Sequence, residues 1–284
     1  MSENEVAIGG GLQGYVDKWL MAQPGQRLAL AFVDPAMHPG HIALAALEQE
    51  WIAAAYGIRE PQVAAAKLGW WAEELASAPT SGGQHPLTQV LFDDVRAQAI
   101  PMAVWLAPLQ AAVAQLEQGT AADFAAQLAA AEPLHGALAR LETAWWHGAQ
   151  ADAARAERLA TLGHVLHALR RLEDDLERDR LPLPMSRLAR HGLVRGELGQ
   201  RSDARDAAIR AQLADLQAAW REAARLPGPL SVFRALAAHE GARLLRRAHG
   251  AADPLAALQR EQRGGFGATF AAWRAARRWH RLAD

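Results

Sequence analysis

Apolar residues recur along this chain at a spacing close to one helical turn, and alanine, leucine, arginine, glutamate and glutamine fill the positions between them. That period and those residue types predict helices. The segments that carry the pattern run Gly11 to Met21, His41 to Tyr56, Pro61 to Ala76, Pro86 to Gln98, Met102 to Gln118, Ala121 to Ala131, Pro133 to Trp146, Ala149 to Arg178, Asp203 to Arg225, Leu230 to Ala248 and Phe266 to Leu282. Strand signals are nearly absent. Pro24-Gly25, Pro39-Gly40, Ser81-Gly82-Gly83, Leu181 to Pro184, Pro227-Gly228 and Gly264-Gly265 mark turns, while Pro61, Pro86 and Pro133 suit first helical turns. No linker is long enough to divide residues 1–284, and no repeat of the solenoid kind is present. The expectation is one all-α domain.

Composition narrows the function classes. Across 284 residues, 30 Lys+Arg stand against 31 Asp+Glu, a net charge of −1, which argues against a nucleic-acid partner held by bulk charge. At 51% hydrophobic and 21% charged residues, the chain can bury a large core. With no cysteine, a disulfide framework, a thiolate nucleophile and thiolate metal sites are excluded. Met1 to Ala7 is polar and acidic, without the basic and apolar segments of a signal peptide, so the expected location is cytoplasmic. Ala97 to Leu116 carries no charge, but Pro101, Pro108 and three glutamines interrupt it and much of it is alanine. It reads as a buried central helix rather than a membrane span.

Two blocks carry a resemblance. His164 to Leu193 reads HVLHALRRLEDDLERDRLPLPMSRLARHGL, and Lys67 to Leu75 reads KLGWWAEEL, followed by His85-Pro86. The first resembles the second aspartate-rich helix of the squalene and phytoene synthases in its Leu169-Arg170, Asp175, Arg178, Arg180, Leu183-Pro184 and Leu188 to Leu193 positions. The second is similar to that family's Trp-rich helix. The resemblance implies an isoprenoid-synthase-type helical bundle around a central cavity. There, two facing aspartate-rich helices hold Mg2+, which binds the diphosphates of two prenyl substrates.

Against that pattern the first cluster is missing. Counting back from Trp70-Trp71, it falls on Ile52-Ala53-Ala54-Ala55-Tyr56, which offers no carboxylate. Glu48 and Glu50 lie one turn earlier, two apart on a helix, and read as solvated surface charges. The second cluster is altered: the family places Gln, Asn, Asp and Asp at the positions of His164, His167, Arg171 and Asp175. Asp174 and Asp175 survive, while Arg171, three and four residues before them, is spaced to pair with either and to repel a metal. The same loss is known in a branch of the family that includes the mitochondrial complex I assembly factor, which Leu47 to Trp71 resembles.

The leading reading is therefore a catalytically impaired or inactive squalene/phytoene synthase-like protein that binds a prenyl lipid or a protein partner. The expected ligand-binding residues are His164, His167, Arg171, Asp174, Asp175, Arg178, Tyr56 and Trp71, with no metal and no cofactor. The alternatives are an active head-to-head prenyltransferase that condenses prenyl diphosphates with Mg2+ held by Asp174 and Asp175, and a helical adaptor without a ligand. Zinc chelation by His164, His167 and Asp175 is opposed by Arg171. Arg178 and Arg180 read either as phosphate binders or as partners of Glu173, Asp174 and Glu177. One tryptophan of each pair, Trp70-Trp71 and Trp145-Trp146, is expected to line the cavity or an interface. An apolar pocket is expected between His41 to Tyr56, Met102 to Gln118 and Ala149 to Arg178, taking neutral prenyl lipids better than diphosphates. Phe266 to Leu282 reads as the last helix of the bundle, with peripheral attachment to an anionic membrane as the sharper alternative.

Overall fold

The computed structural model describes residues 10–260 and 265–283, all helix, turn and loop with no strand among the described residues. Met1 to Ala7 and Gly264 of the Gly-Gly turn lie outside them. The helices are α1 (Gly10–Ala22), α2 (Pro39–Gly57), α3 (Pro61–Ser81), α4 (Pro86–Phe92), α5 (Val95–Ala99), α6 (Met102–Gln115), α7 (Phe124–His147), α8 (Ala154–Arg170), α9 (Leu172–Glu177), α10 (Met185–Arg190), α11 (Asp203–Ala223), α12 (Val232–His249), α13 (Pro254–Gln259) and α14 (Phe266–Ala283). Two 3-10 turns, Pro24–Ala31 and Arg195–Glu197, complete the set.

Local chemistry starts most of them. Proline occupies the first turn of α2, α3, α4 and α13, where its missing N–H is not needed. Side chains of Asp94, Asp123, Ser202, Ser231 and Asp253 accept the free N–H groups at the starts of α5, α7, α11, α12 and α13. Gly82, at φ 79°, closes α3 in the left-handed conformation.

Long helices then build two apolar clusters that share α7 and α12. One gathers α1 to α4, α6, the second half of α7, the start of α12 and α14 around Trp19, Trp51, Trp71, Trp105 and Trp145. The other packs the start of α7, α8, α11, the end of α12 and α13 around Leu162, Leu169, Leu213 and Leu216. Since α7 runs through both, it is the axis of the bundle, lying against α6 on one side and α8 on the other.

The predicted elements are altered at four places. Pro133 does not begin a helix but sits inside α7. It faces solvent, as does Ala129, so the Ala129 carbonyl that loses its donor is open to water. Pro86 to Gln98 is split because Asp94 caps a new start at Arg96 N, 2.9 Å away. Ala149 to Arg178 begins late and breaks at Arg171 (φ −99°, ψ 27°), where Glu173, Asp174 and Asp175 form an acidic first turn suited to a fresh helix start. The short turns α10, α13 and Pro24–Ala31 fall below the length at which periodicity is visible. No helix among the described residues is long and apolar enough to cross a membrane.

Candidate functional site

The first cluster position lies at the end of α2. Ala54 and Ala55 are buried there, Ala53 is exposed, and Tyr56 turns toward α7 and α8. Its ring stacks on His164 of α8 at 4.8 Å and on His135 of α7 at 5.8 Å, and the two imidazoles stack on each other at 3.9 Å. The Tyr56 hydroxyl lies 3.2 Å from His135 Nε2. These three rings fill the gap between α2 and α8. Burial pushes the Tyr56 phenol above its usual range. Burial, then His164, holds His135 well below the ordinary imidazole value, and burial, then His167 and Arg180, brings His164 to about 3. Both imidazoles are therefore neutral near pH 7.

Arg178 and Arg180 close over the same point. Rather than pairing with Glu173, Asp174 or Glu177, both donate to the Tyr56 carbonyl, Arg180 Nη1 at 2.7 Å and Arg178 Nη1 at 3.5 Å, and the Arg180 guanidinium lies 5.3 Å from the Tyr56 ring centre. The positive φ of Asp179 (61°) between them makes the tight turn that aims both back toward α2. Two cations thus satisfy the carbonyl at the C-terminal end of α2, the negative end of its dipole.

Arg171 pairs with Asp174, Nε to Oδ2 at 3.1 Å. Asp175 is half-buried; burial raises its carboxyl, and Arg180, Arg171 and Arg178 oppose the rise. His167 is exposed on α8 and does not join the stack. The structure thus brings together Tyr56, His164, Arg178 and Arg180, adds His135, and leaves His167 outside. No group of three or more His, Asp or Glu among the described residues could hold a metal ion. The residues present do not fit a pair of Mg2+ clusters. α2 offers no carboxylate there, its Tyr56 carbonyl is taken by Arg178 and Arg180, and the remaining carboxylates sit among three arginines.

The second block resolves into a structural clamp. Trp71 is buried and Trp70 is 45% exposed, so Trp71 packs inward, 4.6 Å from the His85 ring, and is remote in role from Tyr56. Glu74, one turn on, accepts from Gln84 N at 2.7 Å, from His85 N at 2.8 Å and from Thr88 Oγ1. Burial alone would raise the Glu74 carboxyl, but the bonds from Thr88, His85 and Gln84 outweigh it and hold it below its usual range. Its stability contribution is present above the ordinary glutamate value of about 4.5 and is lost as pH falls through the lower folded value. Glu74→Gln is expected to cost about 2 to 3 kcal/mol at pH 7 and much less near pH 3, measured by urea denaturation at both.

The interior differs most from expectation. A space of about 60 Å³ at the centre lies between α1, α2, α7 and α12 rather than between α2, α6 and α8, and charged groups form part of its wall. Glu142 of α7 accepts from Arg234 Nε at 2.8 Å, from Arg234 Nη2 and from Ser231 Oγ. Glu48 of α2 lies 3.8 Å from the same guanidinium. Gln26 Oε1, His41 Nε2 and Glu48 Oε1 are buried without a protein partner. Glu48 and Glu50 are therefore not surface charges, being 9% and 8% exposed; Glu50 pairs with Lys18 at 3.3 Å and Lys67 at 3.2 Å. Trp145 and Trp146 are both buried, and only Trp146 borders the central space. A sequence signal for this cluster existed: His135, Leu138 and Glu142 follow helical spacing on one inward face of α7.

With this geometry in place, the class is defined by the fold: an all-α bundle of the isoprenoid-synthase type. A squalene synthase, HpnC, from Alicyclobacillus acidocaldarius superposes with a TM-score of 0.63 at 18% identity, covering 88% of this chain and 92% of that one. A dehydrosqualene synthase solved with a ligand superposes at 0.64 and 12% identity, covering 95% and 99%. No curated protein matches the chain. The squalene/phytoene synthase family model matches residues 26–264, and the chain belongs to that family.

Proposed function

We propose that this protein is a member of the squalene/phytoene synthase family that does not condense prenyl diphosphates and acts by binding a partner, in the manner of a branch with decayed aspartate motifs. One observation carries the reading. Where facing carboxylates would be needed, Tyr56, His135 and His164 are stacked, and Arg171, Arg178 and Arg180 supply the charge. A dication placed there would meet three guanidinium groups, with carboxylates on the α9 side alone. The central space of about 60 Å³ has Glu48, Glu142 and Arg234 in its wall. The roomier cleft, about 450 Å³, is an open one between α7, α8 and α11 with Glu132, Arg158, Asp215 and Glu222 on its sides. Together they support a partner at the surface over a prenyl chain in the core. Ligand pockets commonly run to about 300 Å³ and above.

The test is incubation with farnesyl and geranylgeranyl diphosphates and Mg2+, followed by analysis of released diphosphate and of the lipid products. No product above a no-enzyme control is expected. The surviving pair Asp174 and Asp175 favours a second reading, Mg2+-dependent condensation. Turnover abolished by Asp175→Asn would establish it and end the first. A companion titration with farnesol and farnesyl diphosphate, followed by tryptophan fluorescence, is expected to show no saturable binding of either.

A further inference from the structure

Helix α14 has two faces of different chemistry. At about 100° per residue, Ala268, Ala272, Ala275, Ala276 and Trp279 share one side, and all five are buried against the bundle. Small alanines let α14 lie close on α12, and Trp279 anchors it by packing against Trp146 at 4.7 Å and His41 at 4.9 Å. The helix is thus fixed in orientation.

Its outward side presents Phe266, Phe270 and Trp273, which are 89%, 50% and 41% exposed. Four Phe or Trp rings are strongly exposed among the described residues, and three of them are here. Leaving such rings in water forgoes much of the stabilisation that burial gives, so a cluster of three on one rigid face calls for a cover. The charge on the helix says which. Arg274, Arg277, Arg278 and Arg281 follow the rings, and no acidic residue lies anywhere in α14, although the whole chain has a net charge of −1. Arg277 reaches back over the Trp273 ring at 5.4 Å, placing a cation directly on the aromatic patch. Exposed Arg243 of α12 lies beside Gly265 at the start of the helix, and Arg155 of α8 lies within electrostatic reach of Arg274 and Arg278. Protein interfaces deplete charge at their centres; exposed rings adjoining a run of arginines suit an anionic headgroup layer, where aromatic bodies enter and guanidinium groups stay with the phosphates.

We infer that α14 docks this protein onto an anionic phospholipid surface, with Phe266, Phe270 and Trp273 entering the interfacial layer and Arg274, Arg277, Arg278 and Arg281 meeting lipid phosphates. This is independent of whether the cleft condenses prenyl diphosphates. The experiment is co-sedimentation of the full chain with phosphatidylcholine vesicles, with and without phosphatidylglycerol, at low and high salt. Binding is expected only to the anionic vesicles and is expected to weaken at high salt. The Phe270→Ser/Trp273→Ser variant, both positions being exposed, is expected to keep the thermal midpoint and lose affinity about tenfold or more. Failure of the wild-type chain to sediment with anionic vesicles overturns the inference, as does undiminished binding by a folded double variant. A salt-insensitive dimer of the wild-type chain that this variant dissolves, without vesicle binding, assigns the patch to self-association and overturns it equally.

Discussion

Arg234→Ala is expected to destabilise the protein by about 3 to 5 kcal/mol, enough to leave a domain of ordinary stability only marginally folded. Arg234 is the cation that lets Glu142 of α7 lie at the centre of the bundle. It donates twice to Glu142, and Ser231, which caps α12, donates to the other carboxylate oxygen. Truncation leaves the Glu142 carboxylate 5% exposed with only a hydroxyl to oppose its charge. Desolvation then decides the outcome, because an unpaired buried charge costs far more than the lost packing. Urea denaturation at pH 7 measures the effect. Arg234→Met combined with Glu142→Leu, which removes both charges and fills the space, is expected to recover most of the loss. A loss below about 1 kcal/mol for Arg234→Ala would show that water reaches the cluster and screens it.

Glu48 responds with the opposite sign. Burial first, and then the neighbouring Glu142, push its carboxyl well above the usual range, while Arg234 opposes them. A raised carboxyl value means that the folded state holds the proton, so the contribution is most favourable below the ordinary glutamate value and is lost as pH rises through the folded one. One guanidinium therefore faces two buried carboxyl groups, and Glu48, the more distant at 3.8 Å, is the one whose proton is held more tightly than usual.

These contacts explain where the sequence was readable. Long helices were, because α6, α8, α11, α12 and α14 repeat apolar residues at helical spacing over several turns and α2 carries them nearly all round. The missing carboxylates of α2 and the Arg171–Asp174 pair were readable too, since both depend on positions within one helix. Contacts between helices were not. Nothing local in Tyr56 indicates that two imidazoles, 79 and 108 positions further along the chain, stack on its ring. Arg178 and Arg180 have acidic neighbours in sequence, yet they turn to a carbonyl on α2. Glu48 looked like a surface charge because α2 has apolar residues nearly all round, and its partner Arg234 lies at the other end of the chain. A helix buried on every side has no polar face to which a carboxylate can be assigned.

Acid is expected to unfold the protein with a midpoint near about pH 4, and the buried imidazoles set that value. His41 is 1% exposed, boxed by Trp146 at 4.3 Å and Trp279 at 4.9 Å, and burial, followed by Arg96, His38 and His147, lowers it to about 3. His164 lies at about 3 in the stack with Tyr56, and His135 is also held well below its usual range. In the unfolded chain all three take a proton near pH 6.5. The folded state refuses it, so their contribution is complete above that value and is lost as pH falls toward the folded values. Each withheld proton removes about 1.4 kcal/mol per pH unit, so His41 and His164, both at about 3, together remove roughly 3 kcal/mol per unit. His135 adds to this loss and Glu48 opposes it above its ordinary value, while Glu74 adds to the loss below that value. A slope of that order consumes a typical domain stability within a few pH units. His164→Phe keeps a flat ring between Tyr56 and His135 but withholds no proton, so its midpoint is expected to fall well below that of the wild-type chain. Circular dichroism followed from pH 7 to pH 3 for both proteins is the measurement. A stability that stays flat between pH 6.5 and pH 4.5, or a midpoint unmoved by His164→Phe, would show that these imidazoles accept protons in place and that the stack opens without unfolding.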